Sequence, residues 1–94
     1  MKIADLKDGT GRVNITAKVI EKGPVREVNT KNGRLKVSDA VIEDDSGTIT
    51  LTLWGDEGDK IKQGDEVKIE NGFVKEWNSS LQLSAGKYGK LTVL

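Results

Sequence analysis

Apolar and polar residues alternate along most of this chain with a period of two, the mark of half-buried β-strands. Val13, Ile15, Ala17 and Val19 alternate with Asn14, Thr16, Lys18 and Ile20, which predicts a strand from Arg12 to Glu21. Gly23-Pro24 breaks it, because proline lacks the N–H a ladder needs. Val25 to Asn29 reads as short and extended, and Thr30-Lys31-Asn32-Gly33 as a turn, since Asn-Gly tolerates positive φ. Arg34 to Asp44 is a second long strand whose alternation slips near Asp39, suggesting a bulge. Asp45-Ser46-Gly47 turns the chain into Thr48 to Trp54, the clearest strand of all. There Ile49, Leu51 and Leu53 face one way, and Thr48, Thr50, Thr52 and Trp54 the other.

From Gly55 to Gly64 the pattern changes. Asp56, Glu57 and Asp59 precede Ile61, as suits the positive end of a helix of one or two turns. Glu66 to Val74 is the fourth strand, with Val67 and Ile69 inward and a bulge at Asn71-Gly72. Glu76 to Ser80 reads as a loop carrying Trp77. Leu81, Leu83 and Ala85 mark the fifth strand, and Gly86 and Gly89 bracket a last turn before Lys90 to Leu94. The expected fold is all-β. Five strands with a short helix between strands 3 and 4 predict a closed five-stranded barrel, since closure removes exposed edges. An SH3-like barrel competes, but the position of the helix favours the oligonucleotide/oligosaccharide-binding (OB) fold.

Ninety-four residues suffice for one domain, expected to span 1–94. The chain has no cysteine and no histidine. That excludes disulfides, zinc-thiolate sites, iron–sulfur clusters and cysteine nucleophiles, and removes the commonest general base. No apolar run is long enough for a membrane span or a signal peptide, and an intracellular location is expected. Net charge is zero, yet it is unevenly spread: residues 22–37 carry +4 and residues 39–66 carry −7. A neutral total of this kind hides one basic and one acidic face.

Only four aromatics occur, Trp54, Phe73, Trp77 and Tyr88. Aromatics this scarce ordinarily fill the core. Trp54 departs from that by parity, lying on the threonine side of its strand. Trp77 departs by context, among Glu76, Asn78, Ser79 and Ser80. Phe73 is inside by simple alternation and outside if the Asn71-Gly72 bulge intervenes. Exposed rings interleaved with Arg26, Lys31, Arg34 and Lys75 suit a single nucleic-acid strand, whose bases stack on rings while phosphates meet cations. A sugar or protein partner would use the same rings.

Catalytic readings are weak. Asp44-Asp45 and Asp56, Glu57 and Asp59 read as a solvated turn and a helix start before they read as a magnesium site. Ser79-Ser80 lacks a histidine to activate it. Gly9-x-Gly11 precedes a strand and does not open a phosphate-binding helix. No enzyme activity, cofactor or metal is expected.

The segments Ile3-Ala4-Asp5-Leu6-Lys7-Asp8-Gly9 and Val13 to Ile20, Thr30-Lys31-Asn32-Gly33, and Asp44-Asp45-Ser46-Gly47 leading into Leu51-Thr52-Leu53-Trp54-Gly55 form a familiar set. With Ile61-Lys62-Gln63-Gly64-Asp65, Val67 to Asn71 and Leu81 to Gly86, the chain resembles the archaeal single-stranded DNA-binding proteins from about residue 3 to 90. The same domain recurs in replication protein A and in single-strand-binding relatives of eukaryotes. The resemblance implies base stacking on Trp54, on Phe73, where relatives often carry tryptophan, and on Trp77. It also implies hairpin contacts at Arg26, Val28 and Lys31, and so settles Phe73 as an outward ring. Many archaeal members continue into a flexible tail that recruits other proteins. This chain ends at Leu94, so it reads as a trimmed domain or a barrel-only member.

The expectation is therefore a monomeric OB domain that binds single-stranded DNA with little sequence preference in replication, recombination and repair, alongside other replication or repair proteins. The alternatives are single-stranded RNA, or a protein–protein role as a subunit of a replication-protein-A-like complex.

Overall fold

Among the described residues, alternation becomes architecture through seven strands, one 3-10 turn at Ile3–Asp5 and one α-helical turn. The computed structural model describes residues 2–31, 33–55, 57–77, 79–85 and 89–94, with Trp77 described by its backbone alone. The strands are β1 (Val13–Lys22), β2 (Arg26–Thr30), β3 (Gly33–Asp44), β4 (Gly47–Trp54), β5 (Glu66–Trp77), β6 (Ser80–Ser84) and β7 (Lys90–Val93). The helix α1 (Glu57–Lys60) is a single turn between β4 and β5.

Five of the strands close on themselves. β1 pairs β3, β3 pairs β4, and β4 pairs β6 in parallel; β6 pairs β5, and β5 returns to β1. That ring is the expected barrel, with α1 between its third and fourth strands in chain order. β2 and β7 are additions: β2 extends β3 as a hairpin, and β7 adds to the first half of β5. The alternating residues expected to share an inward face do so: Val13, Ile15, Ala17, Val19, Ile49, Leu51, Leu53, Val67 and Ile69 belong to one buried cluster, which Ala40, Ile42, Val74 and Leu83 join.

Two bulges set the faces. On β5, Ile69 and Gly72 oppose Ile15 and Val13, so β5 has one residue more than β1 over this step. Asn71 adopts φ 54°, and alternation resumes with the other parity: Gly72 buried, Phe73 exposed, Val74 buried. A Cβ on Gly72 would lie 2.9 Å from Ile69 Cγ2 and 3.0 Å from the Ser84 carbonyl, so only glycine fits. The expected slip at Asp39 does not occur. β3 pairs β4 without interruption from Val37 to Asp44, and the bulge lies across the ladder on β1, between Val19 and Glu21. The mixed pattern of β3 arises because Val37 and Val41 are apolar on its outward side, while Ser38 takes an inward position.

The two ends of the barrel are closed differently. At the β3–β4 turn, Asp44 accepts hydrogen bonds from the N–H groups of Ile3 (2.9 Å), Ser46 (2.7 Å) and Gly47 (3.1 Å) and from the Ser46 hydroxyl. Burial pushes its carboxyl pKa up, but these bonds outweigh burial and hold it below the ordinary carboxylate value. The turn thereby fixes the N-terminal segment, whose Ile3 and Leu6 join the core. At the other end α1 packs near Ser38. A Cβ on Gly58 would collide with the Ser38 hydroxyl, so glycine permits that approach.

Candidate nucleic-acid interface

Cross-strand register assembles the outward face row by row, because directly paired residues project to the same side. β3 pairs Val37 with Trp54 and Asp39 with Thr52. β2 pairs Arg26 with Val37 and Val28 with Leu35. β6 links Thr52 to Ser84, and Ser84 to Phe73, then Thr50 to Gln82, and Gln82 to Lys75. One side of the sheet thus carries Trp54, Phe73, Lys75, Arg26 and Val28, with Thr52 and Ser84 between the two rings and Gln82 in the next row, beside Lys75. Trp54 is 43% exposed and Phe73 45%, as the outward readings anticipated.

Both rings sit on braced backbone. The Trp54 N–H donates to the Glu57 carboxylate (3.0 Å), and the next N–H, of Gly55, donates to the Lys36 carbonyl (2.8 Å). Past its bulge β5 leaves β1, and the loop of residues 8–10 takes over that edge. Val74 exchanges hydrogen bonds with Thr10 and Gly9, and the Glu76 N–H donates to Asp8 (2.9 Å). Phe73 and Lys75 are therefore held between β6 and that loop.

Two expected site residues, Arg34 and Trp77, are placed differently from expectation, whereas Lys31 lies in the turn expected of it. Arg34 pairs Asn29, one position out of phase with Arg26, so it projects from the other side of the β2–β3 hairpin. There it lies 3.7 Å from Glu27, while its neighbour Lys36 lies 3.8 Å from Asp59 on α1. The basic stretch from Lys22 to Lys36 is thus divided between two faces, and the expectation that Arg34 shares a face with Trp54 is corrected. Lys31 stands exposed at the hairpin tip, beyond the Thr30–Gly33 pair. Trp77 is not in a loop: it is the last residue of β5, in register with Ser80, and its side chain lies outside the described residues. Tyr88 and Gly86 also fall outside them, as does Asp56.

Sequence reasoning missed Leu35, Asp39, Gln82 and Ser84 on this face. The signal for the first two was available: Thr30 pairs Gly33 and Asp44 pairs Gly47, the registers that a two-residue connection sets in each hairpin. No group of three or more potential metal ligands comes together among the described residues, and no described helix is long and apolar enough to cross a membrane.

A closed ring of five strands, a helix before the fourth and an outward face with two exposed rings define an OB-fold domain. Residues 6–93 match the family model described as single-stranded DNA binding protein Ssb-like, OB fold. The chain belongs to that family. It is 39% identical over 90 residues to the single-stranded DNA binding protein Ssb of Saccharolobus solfataricus, covering 96% of this chain and 61% of that protein. It is 28% identical over 87 residues to replication factor A of Methanothermobacter thermautotrophicus, covering 92% of this chain and 11% of that protein. Among solved structures, the second OB-fold domain of replication protein A from Methanococcus maripaludis superposes with a TM-score of 0.81 at 28% identity, covering all of this chain and 93% of that one. The chain thus spans less than two thirds of the length of either full-length relative.

Proposed function

We propose that this domain binds single-stranded DNA, with bases stacked on Trp54, Phe73 and Trp77 and phosphates met by Arg26, Lys31 and Lys75. Val28 supplies apolar contact on the same face, and Arg34 contributes only distant charge. The observation that carries this reading is the pair of half-exposed rings, Trp54 and Phe73, on one face and separated by the hydrogen-bonding strip Thr52–Ser84. Large rings left in water on a braced surface need a flat partner, and every base has a π-face. A duplex hides its base faces, so this surface selects single strands. The domain performs no chemistry. It acts as a monomeric unit inside the cell, in replication, recombination and repair, beside other proteins of those processes. The family's description and the names of both relatives support the same reading.

Intrinsic tryptophan fluorescence, titrated with oligo-dT, oligo-rU and a duplex of equal length, tests it. The expected result is saturable quenching by oligo-dT, weaker for the duplex. Equal response to duplex and single strand removes the stacking argument, and a stronger response to oligo-rU reassigns the partner to RNA.

A further inference from the structure

Beside β3 the outward face runs into a groove. β1 bulges there, with Glu21 in register with Val41 and Lys22 with Ala40, and the chain then turns away through Gly23-Pro24. The groove has a volume of about 460 Å³, and its lining includes Pro24, Asp39, Val41 and Thr50. Asp39 stands where groove and face meet, in the row that continues through Thr52 and Ser84 to Phe73.

A carboxylate is out of place on a surface meant for a polyanion, unless it is compensated and has a task. Arg26 compensates it: both of its terminal nitrogens lie 3.4 Å from Oδ2 of Asp39. No described hydrogen bond reaches Oδ1, and the side chain is 38% exposed. An ionised carboxylate only accepts, so a base edge that meets Oδ1 must donate. Among the pyrimidines, cytosine presents its N4 amine there, whereas thymine and uracil present the O4 carbonyl. Their remaining donor, N3–H, is flanked by two carbonyl oxygens that repel a carboxylate.

We infer that Asp39 is a specificity-determining residue, accepting from the amine of a cytosine seated against Pro24 and Val41 while neighbouring bases stack on Trp54 and Phe73. This rests on the single-strand reading above and adds a modest preference to sequence-tolerant stacking. Arg26 then serves twice, as counterion to Asp39 and as a cation near the strand.

The test is tryptophan fluorescence titration of the whole chain with oligo-dC and oligo-dU of equal length at neutral pH. These bases match in ring size and lack the thymine methyl, so they differ only along the edge in question. The expected result is about fivefold tighter binding to oligo-dC, the scale of one charge-assisted hydrogen bond partly open to water. Asp39→Asn offers both a donor and an acceptor, and should bring the ratio close to one. Asp59→Asn, on the far side, should leave it unchanged. Equal affinities in the unaltered protein overturn the inference, as does a preference that survives in Asp39→Asn. Binding to neither oligomer overturns it together with the single-strand reading, whereas binding without preference overturns the inference alone.

Discussion

On β4 the two sides of one strand live in different environments. Ile49, Leu51 and Leu53 point into the barrel and are almost wholly buried, whereas Thr48 and Trp54 on the other side are exposed and Thr52 is covered mainly by its neighbours on the sheet. The inward side is closed by the barrel itself: Leu51 registers with Ala40 on one flank and Leu83 on the other. The outward side has threonines where a second layer would have required apolar residues, and its one large ring has no layer above it. The inward side therefore holds the fold together, and the outward side is free to serve a partner. Trp54 is large enough to be mistaken for core, but its position in the alternation decides otherwise.

The largest expected effect breaks the inner side. Leu83→Ala removes a fully buried side chain and should cost about 2–5 kcal/mol of stability. In a domain of this size that lowers Tm by roughly 10 °C or more, read by thermal melting in circular dichroism. Strand binding measured well below the transition should change little. Trp54→Ala is the converse: about 1–3 kcal/mol lost from binding to single-stranded DNA, with Tm nearly unchanged. Should Trp54→Ala lower Tm as much as Leu83→Ala, the two sides of β4 are not distinct in role and the ring belongs to the core.

A third variant separates fold from function at the far end of the same hairpin. Asp44 ties the β3–β4 turn to the N-terminal segment, and its pKa is lowered in the folded protein. Unfolding therefore takes up a proton at acid pH. The stability this carboxylate contributes is fully present above the unfolded value of about 3.9, and is lost as pH falls through the lower folded value. Asp44→Ala should cost about 1 kcal/mol at neutral pH, since three backbone donors lose their acceptor. It should also flatten the fall of Tm with pH in the acid range, and leave strand binding unaltered. An unchanged acid profile would show that Asp44 does not carry that dependence.

Most of this architecture was legible because strand parity and turn chemistry are local. The alternation of Val13 to Val19 and of Thr48 to Trp54 specified buried faces that the structure reproduces. The Asn71-Gly72 bulge was visible as a turn signal inside a strand, yet the residues alone left Phe73 open between two sides; in the structure the bulge turns it outward. The parallel pairing of β4 with β6 was not legible residue by residue, because it joins segments distant in the chain, Thr50 with Gln82 and Thr52 with Ser84, with no turn to fix their register. The strip Thr52, Ser84 and Gln82 depends on that pairing. Arg34 was misplaced for another reason. Charge was summed over a stretch of chain, yet a hairpin sends alternate residues to opposite sides, and a sum over sequence is blind to that.

The smallest expected effect tests that last point. Lys75 and Arg34 carry the same charge and are both exposed, but Lys75 shares the outward side with Phe73 and Gln82, whereas Arg34 projects from the opposite side of the hairpin beside Glu27. A single strand laid across Trp54 and Phe73 passes Lys75 and does not reach Arg34. Each phosphate contact contributes about −0.7 to the log–log salt slope of single-strand binding. Lys75→Gln should therefore flatten the slope by roughly that amount, with an affinity loss of about 1 kcal/mol or less at moderate salt. Arg34→Gln should leave the slope within error of the unaltered protein, because its field at the strand is screened and already offset by Glu27. The readout is the set of binding constants for one oligo-dT over a series of salt concentrations. Equal slopes for the two variants would mean that the strand responds to total charge alone, and the division of the basic stretch between two faces would have no functional consequence.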